Sequence, residues 1–423
     1  MRVKDHQTKN ISSIPEMGLC TQCGMCEAVC PADCIHFAWG NVQKIPIVND
    51  EQCILCGDCL AVCPGRELST DTGARSLSEK YIGRFDKAMV IKGNRDFIND
   101  YTSSGGFVTS FLAYLLDKKH VDGVVNVCLS GGDPRGAKSQ LITASSELYN
   151  STGSVYYAVP LGPALKEMSK RSGTFAVVGL PCQIRGINKL REFDEYKDRI
   201  SVTISLFCGF MTGLHASEYL LSSLRIPKDE RIDRISFRAK RHDRDGFLVE
   251  TEKGEYFVAR DDYTAILNRL FSYRRCLMCN DMTGEEADVS CGDARKKYGE
   301  DNTLVLSRNA GLTGLISDAI EDGYLHLSRS LSADEVVSTQ KRILQYKKET
   351  IGPRLRFMKL FNRHIPECDN SIYTRFDPEK YQSFRTLFFI TACLLTQVDF
   401  VRNKLLPFLP EYLLRYIASR IYP

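Results

Sequence analysis

Two runs of four cysteines set the strongest limit on what this chain can fold into. Cys20-x2-Cys23-x2-Cys26-x3-Cys30-Pro31 returns 33 positions later as Cys53-x2-Cys56-x2-Cys59-x3-Cys63-Pro64. Thiolates at this spacing reach one iron–sulfur cube from three sides, and the fourth of each run reaches across to the other cube. The spacing assigns Cys20, Cys23, Cys26 and Cys63 to one [4Fe–4S] cluster and Cys53, Cys56, Cys59 and Cys30 to a second. Each following proline turns the chain away without leaving a backbone donor unpaired. The rival readings are a pair of zinc sites or a disulfide scaffold, and zinc needs four ligands per ion without crossed spacing.

These motifs resemble a bacterial-type two-cluster ferredoxin across residues 15–68. The segment holds seven acids (Glu16, Glu27, Asp33, Asp50, Glu51, Asp58, Glu67) against Lys44 and Arg66, a balance of −5 in a chain whose formal charge is +4. A local acidic surface of this kind steers association toward a basic face. The small overall charge lends no support to nucleic-acid binding.

A length of 423 residues with 43% apolar and 26% charged residues allows two or three units, one with a sizeable core. Seventeen cysteines behind a polar start, with no apolar leader segment, predict a reducing, cytoplasmic setting. The longest apolar run, Leu387–Leu395, is interrupted by Thr391 and is too short to span a bilayer.

The expected organisation is a loosely docked arm (1–14), the cluster unit (15–68), a small polar linker (69–78), a reductase domain (80–350) and a helical tail (351–423). Strands are expected at 87–92, 121–129, 174–180, 200–207 and 287–291, and helices at 107–118, 162–171, 184–193 and 313–322. Alternating strands and helices predict an α/β domain with a parallel or mixed sheet, α+β over the whole chain. Residues 231–260 read as a β-rich antiparallel insertion turning at Lys253-Gly254. A helix over 333–348, capped by Ser332, is expected to be exposed. In the tail, Arg385, Arg402, Lys404, Arg415 and Arg420 outnumber Asp399 and Glu411. That segment either packs on the body or a second subunit, the favoured reading, or lies on a membrane interface.

Two further sites are candidates. Cys182 and Cys208 follow predicted strands, and Cys276-x2-Cys279 is a chelating pair. Neighbouring parallel strands end on one sheet edge, so these four thiols can converge on a third cluster. The alternative is that Cys182 and Cys208 are small buried apolar residues. Cys291 is the substitute ligand, while Cys34, Cys128, Cys368 and Cys393 read as structural. The second candidate is Thr102-Ser103-Ser104-Gly105-Gly106 before the Phe107 helix, either a simple cap or a phosphate cradle. No GxGxxG, GxxxxGK[ST] or CxxCH motif is present.

Residues 84–310 resemble the beta-subunit family of coenzyme F420 hydrogenases and dehydrogenases. The matching segments are Ser103–Gly106, Gly179-Leu-Pro-Cys-Gln-Ile-Arg-Gly186, Phe207-Cys208-Gly209, Cys276-Leu-Met-Cys279 and Ala287-Asp-Val-Ser-Cys-Gly-Asp293. The resemblance implies an FAD-containing reductase with its own cluster on Cys182, Cys208, Cys276 and Cys279. It also favours Ser103, Ser104, Gly105, Gly106, Gln183 and Arg185 as cofactor-binding residues. Cys291 departs from the family pattern before Gly-Asp. Clusters move single electrons, whereas a flavin holds two and exchanges them as hydride. His215 after Cys208-Gly209 reads as a structural histidine before a proton donor.

The expected function is therefore an iron–sulfur flavoprotein oxidoreductase passing electrons between [4Fe–4S] clusters and FAD. Its acceptor or donor is coenzyme F420 or another organic molecule. The alternative is an electron-transfer subunit of a larger hydrogenase or dehydrogenase complex without an organic substrate of its own. Expected partners are a ferredoxin or a hydrogenase or dehydrogenase subunit, with peripheral membrane contact through the tail as the rival role of that segment.

Overall fold

An eight-stranded mixed sheet carries the larger part of the chain. The structure, a computed structural model, describes residues 10–396 apart from 41–42, 69–72, 95, 97–100, 130, 228, 242–243, 300, 375 and 377–379. In chain order the strands are β1 (Ile35–Trp39), β2 (Lys44–Val48), β3 (Lys87–Gly93), β4 (Gly123–Cys128), β5 (Lys138–Ile142), β6 (Phe175–Gly179), β7 (Ile200–Leu206), β8 (Ile232–Arg241), β9 (Arg244–Thr251), β10 (Gly254–Ala259), β11 (Val289–Asp293), β12 (Thr303–Ser307) and β13 (Leu325–Leu331). The large sheet runs β13-β3-β12-β11-β7-β6-β4-β5. Its centre, β11-β7-β6-β4, is parallel, and the flanking pairings are antiparallel.

The central strands are apolar on both faces because both are covered. All five residues of β6 are buried. Alternate side chains go to opposite layers, as the strand period requires. Ala176 and Val178 join the core formed by the Phe107–Asp117 helix. Phe175 and Val177 pack with Leu165, Ile184 and Ile187 on the other side. The expected insertion is the antiparallel sheet β10-β9-β8.

That sheet is tied to the end of β11 by ion pairs. Arg238 reaches Asp245 at 2.7 Å and Asp293 at 2.9 Å, and Arg260 reaches the same two carboxylates at 3.2 and 3.1 Å. Gly292 is required by crowding, since a Cβ there would lie 2.4 Å from the Phe207 ring. The Gly-Asp pair thus has a packing role and an ion-pairing role at this edge.

Two expectations need correction. Ile11 and Ile14, in the expected loose arm, are each 2% exposed and belong to the core around the cysteine unit; apolar side chains three apart on a short turn found a buried face. Residues 1–9 lie outside the described residues. Ser332 does cap the Ala333–Glu349 helix, in a capping box with Glu335, but the helix is not exposed. Val336, Gln340, Leu344, Tyr346, Lys347 and Lys348 are all buried.

The tail forms a helix over Lys380–Thr396 that buries Phe389, Ile390 and Cys393. Phe389 packs against Phe210 and Tyr346, with ring centres 5.6 and 5.4 Å away. This part of the tail lies on the body. Arg402, Lys404, Glu411, Arg415 and Arg420 lie outside the described residues. No described helix is long and apolar enough to cross a membrane.

The N-terminal unit is held from several sides. Leu161 N–H donates to Cys23 O at 3.0 Å, and Tyr196 Oη donates to Ala28 O at 2.8 Å. Glu367 bridges Glu67 in parallel: Leu68 N–H donates to Glu367 O, and Glu367 N–H to Arg66 O, at 2.9 and 2.7 Å.

Candidate metal centres

The crossed spacing of the N-terminal cysteines has a geometric counterpart. Cys30, Cys53, Cys56 and Cys59 line one cavity, so the fourth cysteine of the first run stands with the first three of the second. Cys34 lines it too, its sulfur 3.4 Å from that of Cys30. Cys56 is exposed at the cavity's outer side, beside the exposed Ile54 and Leu55. Cys20, Cys23, Cys26 and Cys63 are all buried together. Burial pushes Cys63 up to about 12, with Cys23 adding to the rise; Cys26 is raised by burial and then by Cys23, Cys20 and Cys63. Thiols crowded this way repel as thiolates until a cation binds them.

Backbone geometry builds these loops. Gly24 and Gly57 occupy equivalent positions, each at φ 88° before a short helix bearing the third cysteine of its run. At Gly24 a Cβ would also lie 2.4 Å from Gly162 N, so the first run abuts the Gly162–Ser169 helix.

A second cavity gathers the other four expected thiols. Cys182, Cys208, Cys276 and Cys279 line it, with Cys20, Pro64 and Leu68 from the N-terminal unit on its wall. It encloses about 640 Å3 of non-atom space, part of it open to solvent. The parallel pairing of β6 with β7 explains the first two thiols. Cys182 starts the Pro181–Leu190 helix just after β6, and Cys208 lies just past β7. Cys208 N–H donates to Met282 O at 2.8 Å, which draws the loop after Cys279 to the same edge. The thiols stand around cavities; among the described residues, no three Cys, His, Asp or Glu side chains close to the spacing of a single ion.

Charge in this cavity is mixed. Arg185, Arg275 and Lys347 line it together with Asp281. Burial raises the Cys182 thiol well above its ordinary value and pushes Cys208 up to about 12. Cys279 differs: burial acts upward, but Lys347 and then Arg275 outweigh it and hold the thiol below its usual range. Conversely, burial disfavours the Lys347 ammonium, and Cys279, Cys208 and Cys276 more than offset this.

Buried arginines brace the Cys276–Cys279 loop. Arg275 donates to Met278 O at 3.1 Å and crosses to Gly65 O and Glu67 O at 3.1 and 3.2 Å. Arg354, wholly buried, donates to Leu277 O at 2.6 Å and to Cys279 O at 3.2 Å. Neither arginine was singled out in the sequence, nor was Lys347. A signal for Lys347 existed: Val336, Gln340, Leu344 and Lys347 recur at helical spacing on one buried face.

The remaining expected residues are divided. Arg185 lines the thiol cavity while pairing with Glu286 at 2.9 Å. Gln183 sits behind the turn, accepting from Leu180 N–H and donating to Val159 O, both at 2.8 Å. Cys291 is buried in the core with Val289 and Val305, on a strand interior away from the thiol cavity. His215 is buried against the Phe271 ring, centres 4.8 Å apart.

Ser103–Gly106 forms the loop before the Phe107–Asp117 helix. Ser104 Oγ donates to Asn302 O at 2.9 Å, Gly105 N–H to Thr303 Oγ1 at 3.1 Å, and Ser154 Oγ to Ser103 Oγ at 2.8 Å. A Cβ at Gly105 would lie 2.7 Å from Thr303 N, so that glycine admits a strand backbone. The expected Ser or Thr cap is replaced by Gly106 at φ 78°, and no side chain caps the helix start.

Known proteins share this layout. Residues 89–166 and 173–331 match the N- and C-terminal regions of the coenzyme F420 hydrogenase/dehydrogenase beta subunit. The chain belongs to that family. Residues 19–66 match a 4Fe–4S dicluster domain. The chain is therefore an iron–sulfur protein of an oxidoreductase family.

Among its relatives is the coenzyme F420-dependent sulfite reductase of Methanocaldococcus jannaschii, 28% identical over 346 residues. The match covers 80% of this chain and 51% of that one, so the chain spans about half the length of this relative. The coenzyme F420 hydrogenase subunit beta of Methanothermobacter thermautotrophicus is 24% identical over 252 residues, covering 57% of this chain and 84% of that one. A chain of the F420-reducing [NiFe] hydrogenase complex from Methanosarcina barkeri shares the fold at TM-score 0.52 and 18% identity, over 67% of this chain and 97% of that one.

Proposed function

We propose that this chain is an iron–sulfur flavoprotein oxidoreductase carrying electrons between three [4Fe–4S] clusters and FAD, and from there to or from coenzyme F420 or another organic molecule. The observation that carries it is the second cavity, where Cys182, Cys208, Cys276 and Cys279 meet Cys20 of the N-terminal unit on one wall. Thiols of the two sites facing one another supply the proximity that electron transfer between cofactors needs.

Under this reading Cys30, Cys53, Cys56 and Cys59 hold the outer cube, and exposed Cys56 marks where electrons enter or leave. Cys20, Cys23, Cys26 and Cys63 hold the middle one, and Cys182, Cys208, Cys276 and Cys279 the inner one. The uncapped helix start after Ser103–Gly106 suits a phosphate of FAD, because its first N–H groups lack side-chain acceptors and the helix dipole favours an anion. Arg185, which lines the thiol cavity and pairs with Glu286, is proposed as a further cofactor-binding cation. FAD, when bound, supplies the step between one-electron and two-electron chemistry. The protein's own part is to hold the thiolates, offset their charge and exclude water.

A second reading, an electron-transfer subunit within a larger complex, is favoured by the relative described as a hydrogenase subunit beta, matched over 84% of its length. Turnover of an organic acceptor by the purified chain alone would exclude it; activity only after adding a partner subunit would support it. The test of the main reading is anaerobic purification with iron, sulfide and flavin assays. About twelve irons per chain, four per cube, with one FAD are expected. About eight irons would remove the inner cube, and absence of flavin would remove the hydride step.

A further inference from the structure

Resting on the inner cube proposed above, we infer that Lys347 is a positioning and charge-setting residue of that centre, supplied by a helix outside the family-matched span. The match ends at residue 331, and Lys347 lies on the Ala333–Glu349 helix beyond it.

Lys347 is 1% exposed and lines the cavity with the four thiols. Its ammonium acts most strongly with Cys279, Cys208 and Cys276, and it lies 5.2 Å above the Phe210 ring. Two other basic groups nearby are neutralised by carboxylates, while Arg275 remains a second positive charge on Cys279. Lys348 pairs with buried Glu285, Arg185 pairs with Glu286, and Arg275 grips three backbone carbonyls. Asp281 adds negative charge to the cavity but is drawn to the N–H groups of Gly284 and Glu285.

A cube held by four thiolates carries net negative charge, and reduction adds one more. Buried charge of one sign is costly without a counter-charge. A buried ammonium lining the same cavity as the four thiols favours the reduced, more negative state and raises the midpoint potential. Arg354 sets the lysine's position, because its guanidinium donates to Lys347 O at 2.9 Å while gripping Cys279 O on the thiol loop.

The test is potentiometric titration of the full chain with dithionite, followed by electron paramagnetic resonance and iron assay. It compares wild type, Lys347→Met and Lys347→Arg. Each step delivers one electron from dithionite to the centre, with no bond made or broken in the protein. Lys347→Met is expected to keep its iron and shift the inner midpoint downward, changing the oxidised-to-reduced ratio at the wild-type midpoint about tenfold, equivalent to about 59 mV. Lys347→Arg should stay near wild type. Loss of about four irons in Lys347→Met but not Lys347→Arg would equally support a charge requirement. An unchanged midpoint in iron-replete Lys347→Met, or equal iron loss in both variants, would overturn the inference. Wild type with only about eight irons would instead overturn the inner cube itself.

Discussion

Gly186 and Met25 touch across the joint between the inner thiol site and the N-terminal unit: a Cβ at 186 would lie 2.6 Å from Met25 Cγ. Pro64 closes the other side, 3.3 Å from the same point. The helix carrying Cys182 therefore docks directly beside the loops carrying Cys26 and Cys63. Gly186→Val should cost about 1–3 kcal/mol through overpacking. Anaerobic urea unfolding should show the loss, and electron transfer between the middle and inner centres should slow. A variant with unchanged midpoint and rate would show that the joint has slack.

The crossed ligand sets make a prediction that separates the two N-terminal sites. Cys30→Ala should remove about four irons from the site lined by Cys53, Cys56 and Cys59 and leave the signal of the other cube. Cys63→Ala should do the reverse. Resonance spectra of the reduced variants decide the matter. Loss of the signal from the variant's own cysteine run would reverse the assignment.

Arg354 tests the brace on the Cys276–Cys279 loop. Arg354→Lys keeps the charge but not the planar fork that serves Leu277 O, Cys279 O and Lys347 O together. A loss of about 2–4 kcal/mol is expected from the unmet carbonyls. Iron should leave the inner site before the N-terminal sites during mild chelation. Simultaneous loss from all sites would argue for a general destabilisation instead.

Asp293 predicts an acid dependence with a definite sign. Burial works to raise its carboxyl, but Arg238, followed by Arg260 and Arg295, holds it below the ordinary range. The folded value lies below the unfolded one, so this stabilisation is present above about pH 3.9. It falls away as pH drops through the lower folded value. Asp293→Asn should lose up to about 3 kcal/mol at neutral pH, with the gap to wild type narrowing in acid. Unfolding measured across pH for both chains checks the convergence; a constant gap would contradict the ion-pair account.

Cysteine spacing and continuous apolar strands made much of this layout legible. The crossed sets could be written from spacing alone because thiolate loops allow few ways round a cube, and the Cys30 cavity has that composition. The strand ends at Gly179 and Leu206 located Cys182 and Cys208 because a parallel sheet aligns its C-terminal edge. Charge placement was harder to read. Lys347 was expected in solvent, since lysine normally is, yet its helix stripe with Val336, Gln340 and Leu344 pointed inward. Strands β12 and β13 went unrecognised: one is five residues long, and the other has exposed residues between its buried ends. Arg275 and Arg354 were invisible because the partners that give them their bracing role, Gly65 O and Glu67 O for one and Leu277 O and Cys279 O for the other, are backbone carbonyls from distant parts of the chain, which leave no mark in local sequence.

The bridge between Glu67 and Glu367 also has a meaning in time. A ribosome adding roughly 5–20 residues per second delivers the eight thiols of the two N-terminal runs about 15–60 seconds before it delivers Glu367. During that interval the N-terminal loops have emerged while their closing residues are still unmade. Iron and sulfide can therefore be installed before residue 367, whose backbone pairs with Arg66 and Leu68, has been made.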